Sequence, residues 1–195
     1  MKTIRRGFAV LFLLGACAAG QQMVFEIDPE KSWVEFTLGA TMHTVHGTFR
    51  VKSGQVQFDA ASAAARGEIV VDATSGDSGS KGRDKKMHRE VLESAKYPEI
   101  RFTARQFRGT VPANGTAQVQ IAGVLTLHGS DHPFTATAPV QVTEGRVSAG
   151  VHFEIPYVAW GLKDPSTFVL RVDKKVDIVV HAVGTVTPGP VAATH

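Results

Sequence analysis

The chain has one cysteine among 195 residues, only two tryptophans and two tyrosines, and no apolar run long enough to cross a bilayer as a helix. Each shortage excludes something. With Cys17 as the sole thiol, neither an intrachain disulfide nor a thiolate metal site can staple the domain, so stability has to come from a packed core. A membrane helix needs about 20 consecutive apolar residues, whereas the run from Phe8 to Ala16 soon meets Gln21-Gln22. Net charge is scarce as well. Three of the 21 basic residues, Lys2, Arg5 and Arg6, lie at the extreme amino end, and without them the basic count equals the 18 acidic residues. A balanced domain has no global field to draw a phosphate backbone, which argues against a nucleic-acid partner; the basic residues between Lys81 and Arg89 form a local patch.

The amino end reads as an export signal. Lys2, Arg5 and Arg6 form a basic region, and Phe8 to Ala16 is a short apolar stretch closing on small residues, so residues 1–16 are expected to be removed. Leu14-Gly15-Ala16-Cys17 resembles a bacterial lipobox, in which the cysteine becomes the lipidated first residue. Residues 17–23 are then an anchor and short linker, and Ala18 after the cysteine, in place of an Asp retention signal, points to an outer-membrane lipoprotein facing the periplasm. The alternative is cleavage further on, for instance after Gly20, which discards Cys17 and leaves a soluble periplasmic or secreted protein.

Period-two alternation dominates the remainder. Val34, Phe36 and Leu38 share one face, as do Phe49 and Val51, with Val56 and Phe58 expected on a new strand after a Lys52-Ser53-Gly54 turn. Further strands are expected at 68–73, 100–107, 117–127, 134–142, 147–155, 168–172 and 176–185, separated by Gly, Pro, Asn or Asp. Many short strands at such spacing indicate an all-β barrel or sandwich, and about 170 residues suffice for one core. Between Arg83 and Ala95, Met87, Val91, Leu92 and Ala95 recur at helical spacing, so one short amphipathic helix is expected to cap an open barrel end, preceded by a loop at Ser75–Ser80 and ended by Pro98. Residues 187–195 are rich in Pro, Gly and Ala and read as a disordered tail. Asn114-Gly115-Thr116 matches a glycosylation acceptor but is first a turn signal.

Catalytic and metal patterns are thin. In an extended strand His43 and His46 face opposite sides, while His128 and His132 flank a turn and make two ligands at most. Ser130, Asp131 and His132 are neighbours on one turn, a poor source of the convergence that a hydrolytic triad needs. No phosphate loop, dinucleotide fingerprint or nucleophile elbow is present. The expectation is a protein with no enzymatic activity, no cofactor and no metal.

Five segments in order carry a family resemblance: Trp33-Val34-Glu35-Phe36, His43-Thr44-Val45-His46-Gly47-Thr48-Phe49, Arg83-Asp84-Lys85-Lys86-Met87-His88, Tyr97-Pro98-Glu99-Ile100-Arg101-Phe102 and Leu125-Thr126-Leu127-His128-Gly129. They resemble the YceI-like family of bacterial polyisoprenoid-binding proteins over residues 24–186. The resemblance implies an extended antiparallel lipocalin-like barrel of about eight strands with an isoprenoid chain inside. Candidates for the apolar lining of such a tunnel are Val34, Phe36, Leu38, Phe49, Val51, Phe58, Phe102, Leu125, Leu127 and Phe153, the inward face being implied by the resemblance at Val34 and Phe36 alone. His43, His46, Lys81, Arg83 and Asp84 become candidates for a polar mouth, with Arg83 holding a pyrophosphate or else pairing with Asp84 to fix the loop.

Two segments depart from the family's common pattern, Met87-His88 and Pro156 to Leu162, and both bear on the head group. Two function classes follow: a periplasmic carrier for a polyisoprenoid or isoprenoid quinone, or a structural or stress-related surface lipoprotein whose barrel is simply packed. Expected partners are the lipid and a membrane surface, with a homodimer left open.

Overall fold

Alternating apolar residues curl the chain into one closed antiparallel sheet. The computed structural model describes residues 22–41 and 43–190, so the expected export signal, Cys17 and residues 191–195 of the expected tail lie outside the described residues. The described residues form nine strands: β1 (Gln22–Ile27), β2 (Trp33–Ala40), β3 (His43–Asp59), β4 (Ala64–Asp77), β5 (Glu99–Arg108), β6 (Gly115–Leu127), β7 (Ser130–Thr143), β8 (Arg146–Ile155) and β9 (Val176–Pro188). Strands β2 to β9 close a ring of eight through the β3–β4 pairing. The ninth, β1, continues the β2 position. Both lie between β3 and β9, β2 against Asp177–His181 and β1 against Gly184–Pro188. Buried Ser32 fastens the break between them, its hydroxyl accepting from Val183 N at 2.9 Å and donating to Val183 O at 3.1 Å.

Several expectations are corrected. Lys52-Ser53-Gly54 is not a turn: β3 runs unbroken through it, bent by a register shift between Val51 and Ser53, which is how a long strand curves around a barrel without ending. β4 extends to Asp77, into the expected loop, and Thr187 and Pro188, read as tail, finish β9. Residues 168–172 do not form a strand. Phe168 and Val169 are almost fully exposed, and the segment lies in an irregular β8–β9 connection with one isolated bridge, Ala40 to Val172. Its run of apolar, β-favouring residues mimics a strand, but the ring is already full.

The helix is shorter than its periodicity suggests. α1 (Lys81–Lys86) passes into a π-helical turn at Met87–Val91, where Leu92 N donates to Met87 O at 2.9 Å. Glu93 then takes a left-handed φ of 45° and Ser94 is buried. His88 sets that ending. Its Nε2 donates to the carbonyl of Gly76 at 2.9 Å, which leaves Nδ1 to accept from Ser94 Oγ at 3.0 Å.

Two apolar clusters fill the barrel. At the end of the β7–β8 turn, Phe58, Phe107, Val119, Ala138, Val140, Val142 and Val147 pack together, with the Phe58 and Phe107 rings 4.2 Å apart. At the helix end, Val34, Phe36, Phe49, Val51, Leu125 and Leu127 belong to a second cluster, against which Leu38, Phe102 and Phe153 pack half-buried.

Candidate ligand-binding site

A cavity of about 230 Å³ opens at the helix end of the barrel. Its wall comes from inward positions on successive strands: Phe36 and Leu38 of β2, Val45 and Phe49 of β3, Ile100 of β5, Leu127 of β6, Ile155 of β8, Val176 and Ile178 of β9. Met87, Val91 and Leu92 close it from the helix, and Tyr157, Leu162, Pro165, Leu170 and Val172 from the β8–β9 connection. The two covers are clasped. Lys86 Nζ donates to Pro165 O at 3.0 Å, and Glu90 accepts from Arg89 and from Lys163, the latter at 2.9 Å. Those two cations hold the Glu90 carboxyl down at about 2.

Phe36, Leu38, Phe49 and Leu127 therefore reach the cavity. Val34, Val51, Phe102, Leu125 and Phe153 pack elsewhere in the same cluster, and Phe58 lies in the cluster of the opposite end. Among the polar candidates, His43 and Arg83 line the cavity. His46 is turned outward, its Nδ1 3.1 Å from Thr37 Oγ1, as strand alternation requires. Lys81 is exposed at the start of α1. Arg83 and Asp84 do not pair; they converge on buried Ser78. Arg83 Nε donates to Ser78 Oγ at 2.8 Å and an Nη to Ser78 O at 2.7 Å, while Asp84 accepts from Ser78 N at 2.9 Å and from its hydroxyl. Arg83 thus sits at the rim with part of its guanidinium committed to the loop.

The β8–β9 connection supplies lining that strand reasoning missed, although Pro156 to Leu162 stood out as a departure near a mouth. Tyr157 is buried, and its hydroxyl donates to Asp173 O at 2.6 Å, so it turns away from the cavity. Burial first, then the negative charges of Asp164 and Asp173, push its hydroxyl up to about 12. The unfolded value is near 10, so the stabilisation is complete below pH 10 and is lost as the pH rises toward 12. Ultraviolet titration should show tyrosinate forming near pH 12 that vanishes in Tyr157→Phe, a variant expected to lose about 0.5–1.5 kcal/mol with its hydrogen bond.

The other motifs do not assemble. His128 and Gly129 are the two positive-φ residues of the β6–β7 turn, with His128 Nε2 2.6 Å from Glu93 Oε2. His132 stacks on Trp160 at 3.9 Å, and Asp131 accepts from Thr126 Oγ1. Asn114 Oδ1 accepts from Glu144 N at 2.9 Å, tying two turns together. Among the described residues no group of three His, Cys, Asp or Glu converges, and no helix is long and apolar enough to cross a membrane.

Known proteins resemble this chain in sequence or in fold. A UPF0312 protein of Vibrio campbellii is 33% identical over 135 residues, 68% of this chain and 69% of that one. The crystal structure of Burkholderia cenocepacia BcnA superposes with a TM-score of 0.64 at 22% identity, covering 82% of this chain and 99% of that one. A polyisoprenoid binding domain from Saccharophagus degradans, implicated in plant cell wall breakdown, superposes with a TM-score of 0.62 at 16% identity, covering 84% and 98%. The sequence profile of the YceI-like domain matches residues 25–184, nearly the whole barrel, and the chain belongs to that family.

Proposed function

We propose that the barrel holds the apolar chain of a polyisoprenoid or isoprenoid quinone, and that the protein acts as a periplasmic lipid carrier without catalysing a reaction. The cavity carries the reading: among the described residues, and apart from Tyr157, whose hydroxyl is turned away, its only polar side chains are His43, Ser78, Arg83 and Lys86. Such a lining suits a hydrocarbon with one polar end. At about 0.8 kcal/mol per buried carbon group, a five-carbon unit contributes roughly 4 kcal/mol gross, reduced by the cost of ordering a flexible chain. Arg83 is the rim group suited to a pyrophosphate, and His43 to a quinone carbonyl. The Saccharophagus neighbour, named for polyisoprenoid binding, supports the ligand class.

A thermal-shift series with prenyl alcohols and prenyl pyrophosphates of increasing length tests this. The midpoint is expected to rise with each added unit until the cavity is filled, and further with the pyrophosphate than with the alcohol of equal length. An unchanged midpoint across the series would favour the packed surface lipoprotein instead.

A further inference from the structure

The barrel wall is not equally closed all round. β6 and β7 pair over thirteen rungs and β8 and β9 over ten, yet β7 and β8 pair over four, from Thr143–Arg146 to Val140–Ala149. The sequence explains where the ladder stops. Glu144 and Gly145 both have positive φ and form a two-residue turn, so the flanking Thr143–Arg146 pair is hydrogen-bonded and the bonded positions on β7 then fall at 141 and 139. Residue 139 is proline and has no N–H to offer Gly150. Six residues further along the same edge stands Pro133. Prolines belong on strand edges, and both of these point away from β6 toward β8.

From Gly150 to Ile155, roughly 20 Å of strand, only side chains close the wall. Phe134 of β7 meets Phe153 of β8 at 4.6 Å, edge to face, and His132 of β7 stacks flat on Trp160 at 3.9 Å. His132 Nε2 is buried there without a hydrogen-bond partner among the described residues, an unsatisfied group that opening would return to water. The seam also borders the cavity. Phe153 is opposite Ile178, which in turn is opposite Phe36, and the last two line the cavity.

We propose that the β7–β8 seam is a lateral port: the Phe134–Phe153 and His132–Trp160 contacts part, and the lipid's apolar chain enters sideways while its head stays at the rim. This rests on the lipid-carrier reading. It also answers a problem of size, since a cavity of about 230 Å³ lies below the 300–1,000 Å³ usual for ligand pockets, and a long chain needs either displaced rings or a way out through the wall.

The register would set exposed Thr137 opposite exposed His152. The test uses the full chain with Cys17→Ser, Thr137→Cys and His152→Cys, bridged by a short bifunctional maleimide and offered phosphatidylcholine vesicles holding a fluorescent long-chain polyprenol. Uptake is expected to slow roughly tenfold or more after bridging, as binding that needs a conformational change does when the change is blocked, and protein bridged after loading should keep its lipid. Uptake at an unchanged rate overturns the port and leaves the carrier reading intact. If the unbridged protein takes up no polyprenol, the carrier reading fails and the port with it. Pro133→Thr with Pro139→Thr restores the missing donors without a cross-link and decides the matter should bridging disturb folding: slowed uptake supports the port, and unchanged uptake alongside new amide protection at the seam overturns it.

Discussion

Phe36→Asp is expected to abolish binding of a fluorescent prenyl probe. Phe36 is buried on β2 and faces the cavity, and its ring lies over Gly47, its register partner on β3, so closely that a Cβ at Gly47 would come within 2.4 Å of it. Phe49 packs alongside at 5.5 Å between ring centroids. A carboxylate here would have no partner in an apolar wall. It would either stay ionised and draw in water or protonate at the cost of a raised pKa, and both exclude a hydrocarbon chain. Phe36→Ala separates binding from folding. It should lose about 3–5 kcal/mol, near 2–4 °C of thermal midpoint per kcal/mol for a chain of this size, yet bind the probe in an enlarged cavity. A folded Phe36→Asp protein that binds the probe as well as wild type would place the ligand elsewhere.

The second large effect concerns location. Cys17→Ser should move the protein from the membrane fraction to the soluble one, because the Leu14-Gly15-Ala16-Cys17 pattern makes that sulfur the proposed lipid attachment point. β1 begins at Gln22, which leaves Ala18 to Gln21 as linker, about 15 Å at most when extended. β1 starts beside Asp59 and Pro188, at the end filled by the Phe58 cluster and away from the capped cavity. A tether there would set the mouth at the far end from the anchor, so a port in the side wall would shorten the path between bilayer and cavity. Wild-type protein already found in the soluble fraction, with a mass showing cleavage after Cys17, would rule out the anchor and leave the barrel account standing.

Much of the barrel was legible because period two states which face a residue occupies. Val34 and Phe36, Phe49 and Val51, Leu125 and Leu127 each share a buried face, although alternation pairs residues on a face without saying which face is the inner one. Period two does not encode height along the barrel axis. Phe36 and Phe58 look alike in sequence, yet one borders the cavity and the other plugs the opposite end. Nor does it separate a bulge from a turn, since Lys52-Ser53-Gly54 has turn composition but sits where a long strand must bend. Residues 168–172 have strand-like composition but no partner edge to join. The split pairing of β7 was written in Pro133 and Pro139, but its meaning depends on which neighbour each edge faces, and that emerges only once the ring has closed.

Mass spectrometry of an organic extract from the wild-type protein, purified without detergent from its native host, tests the central claim most directly. The account predicts an isoprenoid lipid in amounts approaching one per barrel, absent from an equal quantity of Phe36→Asp protein. An extract with no isoprenoid, from protein that also takes up none when offered it, would contradict the account.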